Sequence, residues 1–412
     1  MPKVDLPYKS GSLEIDIEGR FLDPACTLPS PLPDIAGTLE GSLNAPVSAP
    51  PLREVIPGRG RIAILVPDMT RGSSVKEILP PLIDLFDRYR VKRERIDILV
   101  ANGTHRIETE QELTEHLGEE ITSEFSIYQH RPDDPESHIR LGATPANSNL
   151  CLDRRMAGSS LILAVSAVSF HYFAGFGGGR KMIMPGMASR DSILRNHRLS
   201  LRENPDEGLS EGCRAGNLEG NPVHQDMVSA VKLLEPGIFM INLVADPLGN
   251  ILFINSGDIL ESHYRACEYL IGRFTIGLNK RFSAVAVSCG GAPRDINLLQ
   301  VHKTLRYASA AAEKGADIYC AGACYEGIGS PSYREAVTSE SFREVEYTLN
   351  TQTAVSTRQL ASEFNIHLHS ELDDSTVRRF GFKPWKSRRI VSEGDDMLII
   401  REGSYFLPRP GS

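Results

Sequence analysis

Short continuous apolar runs, each closed by polar or glycine residues, recur along this 412-residue chain, and they restrict it to a fold built on buried strands. Ile62 to Val66 is such a run and stops at Pro67-Asp68. A run without alternation suits a strand covered on both faces, as in a parallel sheet with helices on either side. Ile96 to Val100 is a second run, ending in Asn102-Gly103-Thr104-His105. Leu161 to Val168 is a third, ending in Ser169-Phe170-His171, and Phe239 to Val244 is a fourth. Between the first two, Val75, Ile78, Leu79, Leu82, Leu85 and Phe86 fall on one helical face. Ser73 or Ser74 is positioned to cap that helix, and Pro80-Pro81 should kink it or shift its start.

The pattern restarts in the last third. Ala284 to Val287 reads as a strand followed by Gly290-Gly291 and a helix from about Asn297 to Lys314. Ile318 to Ala321 and Met397 to Ile400 read as further strands, and Leu260 to Ile271 as the helix leading into this part. The expected fold is therefore α/β: two α/β domains with mainly parallel sheets and a cleft between them. The division expected is 1–272 for a catalytic and cofactor-binding domain and 273–412 for a domain that closes the cleft. Residues 1–60 are proline-rich, with alternation only at Leu13 to Ile17; a peripheral hairpin and an exposed linker over Ala45 to Pro57 are expected.

Composition adds exclusions. A net charge of −8 gives no general attraction to nucleic acid or to an anionic membrane, so an anionic substrate needs a local basic pocket. Met1 to Gly11 lacks the apolar core of a secretory signal, and no apolar run is long enough to span a bilayer. The seven cysteines are odd in number and contain no C-x-x-C pair, which suits reduced thiols and a cytoplasmic location.

Open parallel sheets place functional groups at the carboxyl ends of their strands. Here the first run ends in Asp68 and Arg71, the second in His105 and Arg106, the third in His171. Singly, each is an ordinary loop residue; together they would crowd one sheet edge. The densest segment follows: His171-Tyr172-Phe173-Ala174-Gly175-Phe176-Gly177-Gly178-Gly179-Arg180-Lys181. Its glycines would let backbone N–H groups approach an anion, although the spacing is neither a P-loop nor a dinucleotide fingerprint. His197 lies among arginines, which disfavour a bare cation. Gln300 and Lys303, three apart near the start of a helix, could together hold a carboxylate.

These residues together resemble the nickel-pincer lactate racemase family. Asp68-Met69-Thr70-Arg71 matches its Asp-x-Thr-Arg element, and Gly103-Thr104-His105-Arg106 its Gly-Thr-His-Arg element. His171, Lys181 and His197 match its His–Lys–His series, and Gln300-Val301-His302-Lys303 its Gln-x-x-Lys element. The likeness runs from about residue 50 to the end; each motif is weak, and the ordered set is specific. It implies a 2-hydroxy acid racemase or epimerase acting by proton-coupled hydride transfer to a nickel-pincer nucleotide, a pyridinium mononucleotide holding nickel through sulfur, carbon and sulfur. By the same resemblance Lys181 tethers the nucleotide and His197 is the protein's nickel ligand. His105 and His171 are the acid/base pair. Arg71 and Lys303, with Gln300, hold the substrate carboxylate. Asp68, Thr70 and Gly177, Gly178 and Gly179 seat the nucleotide. Enzymes that mature the cofactor are implied as partners. Leu298-Leu299 and His302 depart from the lactate pattern, which points to a side chain larger or more polar than methyl. The competing readings are a dehydrogenase or dehydratase with an exchangeable nucleotide, and a non-catalytic cofactor-binding module.

Overall fold

The structure, a computed structural model, describes residues 2–71, 74–147, 149–391 and 396–411. It contains two six-stranded sheets. In space the first runs Ile251–Asp258, Gly237–Ala245, Leu161–Ala167, Ile62–Pro67, Ile96–Ala101, Ser126–Gln129. Only the first two of these pair antiparallel. Every residue of Ile62–Pro67 and Ile96–Ala101 is buried, as the unbroken apolar runs require. Alternate residues serve two different cores: Ala63, Leu65 and Leu99 face one, and Ile62, Ile64, Val66 and Ile98 face the other.

The second sheet is wholly parallel, in the order Lys383–Pro384, Asn365–His369, Ala312–Ala321, Phe282–Ser288, Met397–Ile400, Phe21–Leu22. Sheet membership departs from chain order at the start of the chain. The hairpin Lys3–Tyr8/Gly11–Glu18 pairs with Arg389–Val391, and Phe21–Leu22 pairs with Met397–Leu398. One apolar core runs between the sheets, containing Phe170, Tyr172 and Phe173 from the first part of the chain and Leu298, Val301 and Tyr307 from the last.

Several local expectations are corrected. The helix Val75–Arg88 starts directly after Ser74 and continues unbroken through Pro80 and Pro81, so the prolines do not shift its start. Each proline removes a hydrogen bond, a loss of about 3 kcal/mol, but seven apolar side chains of this helix are buried at roughly 1.5–3 kcal/mol each. Ser74 occupies the cap position without a capping bond, because its hydroxyl donates to the Gly249 carbonyl. Ser73 lies outside the described residues. The segment Ala45 to Pro57 is no exposed linker: Val47 bridges to Gly257, and Leu52 is fully buried on a short helix. The helix expected over Asn297 to Lys314 is Leu298–Ala308, and Ala312 to Lys314 belong to the next strand. Among the described residues no helix is long and apolar enough to cross a membrane.

Candidate active site

The first cluster forms where Ile62–Pro67 and Ile96–Ala101 end. A 3₁₀ turn, Met69–Arg71, follows Asp68, whose carboxylate is buried. Asp68 Oδ1 accepts from the Thr70 amide at 3.0 Å, from the Thr70 hydroxyl, and from His105 Nδ1 at 3.1 Å. Its Oδ2 accepts from Arg71 Nε at 3.3 Å. Burial pushes this carboxyl up, but the His105 bond and the Arg71 charge outweigh it and hold it well below the ordinary carboxylate range. Arg71 Nη2 lies 3.4 Å from His105 Nε2, so the expected carboxylate clamp and the expected base stand side by side. The resemblance put Asp68 and Thr70 at the nucleotide. Here the buried Asp68 carboxylate is taken up by Thr70, Arg71 and His105.

The second cluster is built on the segment after Leu161–Ala167. Phe170–His171 pairs back on Gly175–Phe176 in a tight hairpin, and His171 Nδ1 accepts from the Ala174 amide at 3.3 Å. That contact places the neutral imidazole's proton on Nε2. Phe173, which the motif reading passed over, is the hub. Its ring centre lies 4.5 Å from His171, 5.1 Å from His197 and 5.7 Å from Lys181 Nζ. Its position two residues after His171 in the densest segment was the available signal.

The glycine turn has a packing cause. A Cβ on Gly179 would stand 2.4 Å from the His263 ring, and one on Gly178 would stand 2.7 Å from the Ala167 carbonyl oxygen. The Gly177 amide donates to Ser169 O at 2.8 Å and the Gly179 amide to Ser166 Oγ at 3.0 Å. Two of the three amides expected to cradle the nucleotide are therefore occupied within the protein. Arg180, fully buried, braces the turn by donating to Ala174 O at 2.8 Å and Phe176 O at 3.1 Å.

In the second part of the chain, Asn297 caps the helix Leu298–Ala308, and Lys303 Nζ donates to Gln300 Oε1 at 2.7 Å. Leu298 is fully buried in the core, and His302 turns inward to Ser356 Oγ at 2.8 Å. These two side chains pack inward, while Leu299 between them is partly buried. Tyr172 crosses between the two parts: its hydroxyl meets Thr353 Oγ1 at 2.8 Å, and its ring stands edge-on to His302 at 4.9 Å.

The electrostatics join the clusters. Burial lowers the Lys181 amine well below its usual range, and the charges of Arg71, Arg180 and Lys303 lower it further. Lys303 is brought down to about 8 by burial and then by Arg71. His171 is driven well below its ordinary value by burial, then by Lys181, Lys303, Arg71 and His197. His197 falls to about 3 through burial, then Lys181 and Arg71. Among the described residues no carboxylate pairs with Lys181 or Lys303. Arg71, His171, Lys181, His197, Gln300 and Lys303 thus share one anion-seeking region between the sheets. A surface cavity of about 490 Å³, lined by Arg358 and Arg379 among others, shares no residue with it.

A fold and site of this kind define an α/β protein with a cationic, histidine-containing region between its sheets, and comparison with known proteins narrows the class. The lactate racemase N-terminal domain family matches residues 10–209. A lactate racemase of Lactiplantibacillus plantarum is 30% identical over 346 residues, covering 81% of this chain and 77% of that protein. One from Thermoanaerobacterium thermosaccharolyticum is 30% identical over 338 residues, with the same coverage. The solved lactate racemase apoprotein of the latter organism superposes with a TM-score of 0.87 at 24% identity, over 99% of this chain and 100% of that one. A Thermotoga maritima protein superposes with a TM-score of 0.70 at 17% identity, over 93% and 100%. The chain belongs to the lactate racemase family. It is an isomerase of the racemase class.

Proposed function

We propose that this protein racemises or epimerises a 2-hydroxy acid by proton-coupled hydride transfer, using a nickel-pincer nucleotide tethered through Lys181. The observation that carries this reading is the grouping of an unpaired, deprotonation-prone lysine with two histidines and the Arg71–Lys303 pair.

The residues suit the group. An amine whose burial and cationic neighbours weaken its hold on a proton, with no carboxylate partner among the described residues, is a nucleophile able to form an amide-type bond. His197, neutral down to about pH 3, offers an imidazole to a metal. Among the described residues no three His, Cys, Asp or Glu side chains converge as a metal cage, so the nucleotide itself would supply the other nickel ligands. When bound, the group supplies an electron-poor hydride acceptor.

The protein's own residues do the rest. A hydroxyl-bearing C–H bond is too weakly acidic to lose a proton readily, and its loss as hydride requires the O–H proton to leave at the same time. His105, with Nδ1 on Asp68, presents Nε2 as proton acceptor. Arg71 would orient the carboxylate plane, and Lys303, steadied by Gln300, would add attraction. A transient keto acid that turns its other face is served by His171. Because His171 presents a protonated Nε2 at rest, it must exchange its Ala174 contact to accept a proton from the opposite configuration. The two sheets would act as two domains that close on substrate and exclude water. Cofactor-maturation enzymes are the implied partners, in the cytoplasm.

Protein matured with cofactor-synthesis enzymes should interconvert the enantiomers of lactate or another 2-hydroxy acid, read by chiral separation, and should carry a fixed added mass at Lys181. A nucleotide that dialyses away without added mass would favour an exchangeable-cofactor dehydrogenase instead.

A further inference from the structure

We infer that Asp68 is a positioning residue that fixes His105 as a proton acceptor. Asp68 is ionised and can only accept, so the His105 nitrogen facing it, Nδ1 at 3.1 Å, must carry the imidazole proton. The other nitrogen, Nε2, is then bare. Among the described residues its polar neighbour is Arg71 Nη2 at 3.4 Å, a donor and therefore compatible with a lone pair there.

Exposure divides the pair in the same sense. The Asp68 side chain is 3% exposed and the His105 side chain 38%, so the orienting group lies beneath and the imidazole is the accessible member of the pair. Two donors from Thr70 hold the carboxylate in place, and its second oxygen holds Arg71 Nε at 3.3 Å. One carboxylate thereby sets both the tautomer of the base and the direction of the carboxylate clamp. The balance is simple. The substrate O–H bond breaks and its proton goes to His105 Nε2. The resulting imidazolium keeps its Nδ1–H on Asp68, whose negative charge offsets the new positive one.

This inference rests on the proposed racemase reading for its kinetic consequence but not for its structural one. The test is Asp68→Asn, which preserves shape while offering His105 an amide donor. Nitrogen-15 spectra of histidine in the unloaded protein should show His105 protonated on Nδ1 in the wild type and shifted towards Nε2 in the variant. In matured enzyme kcat should fall roughly a hundredfold or more, with a smaller change in KM, as expected when an orienting carboxylate yields the wrong tautomer. Asp68→Glu should recover part of the loss. An unchanged His105 tautomer in Asp68→Asn overturns the inference, and so does a changed tautomer with unchanged kcat. If wild-type enzyme turns over no 2-hydroxy acid, only the proposed function fails, because the spectra still decide the orientation of His105.

Discussion

The Tyr172 hydroxyl and Thr353 Oγ1 stand 2.8 Å apart, and this bond ties the residue after His171 to a helix of the second part of the chain. Both partners are buried, so removing one leaves the other without a polar neighbour it was folded to meet. Tyr172→Phe should cost about 1–3 kcal/mol of stability in denaturant unfolding. It should also lower turnover several-fold, because His171 loses its anchor across the cleft. Wild-type stability and turnover in the variant would show that the bond neither holds the two parts nor positions His171.

Arg71→Lys keeps the charge but removes the planar fork, the contact with Asp68 Oδ2 and the neighbour of His105 Nε2. A fall in kcat/KM of about tenfold or more is expected, carried mainly by KM. Lys303→Arg, at a position where lysine acts as a point charge, should cost less. Equal losses in the two variants, measured side by side on one substrate, would remove the distinction between an orienting fork and a simple attraction.

The fold was legible where apolar runs were unbroken. Ile62–Pro67 and Ile96–Ala101 are buried on both faces, and their alternate residues feed two cores, which is why no alternation appears in the sequence. The pairing of the chain's first residues with strands near its end was not legible, since alternation at Leu13 to Ile17 defines a strand without naming its partner. At the site, motif spacing found the side chains but not their neighbours. Nothing in the spacing of Asp68 and His105 announced that the carboxylate lies against the His105 ring at 3.1 Å. Nor did the glycine run reveal that His263 and the Ala167 carbonyl leave no room for a Cβ at Gly179 and Gly178. Phe173 carried no motif, although its ring touches three of the named residues.

Acid should destabilise the protein well above the usual carboxylate range. Burial holds His197, His263 and His302 at about 3 and His224 at about 4, against about 6.5 in an unfolded chain. Between those values the unfolded state binds protons that the folded state refuses, so stability falls as pH drops below about 6.5. Each histidine contributes up to about 1.4 kcal/mol per pH unit in that window. Denaturant midpoints of the unloaded protein at pH 7.5 and 5.5 should therefore differ clearly, with the lower value at pH 5.5. Equal midpoints would mean that these imidazoles are solvated in the folded state.

Lys181 should be the most readily acylated lysine of the unloaded protein near neutral pH, because burial and its cationic neighbours weaken its amine's hold on a proton. Peptide mapping after brief treatment with a small acylating reagent checks this. Preferential labelling of surface lysines would contradict it. Lys181→Arg should abolish added cofactor mass in matured protein while leaving the fold intact.

The most direct test follows the hydrogen on the reacting carbon. A single enantiomer of a 2-hydroxy acid, deuterated at C2, is given to matured enzyme in ordinary water, and the opposite enantiomer is isolated and weighed by mass spectrometry. Hydride transfer out and back within a closed cleft retains the deuterium in the inverted product. Replacement of that deuterium by solvent hydrogen would show proton abstraction from carbon and would contradict the hydride mechanism.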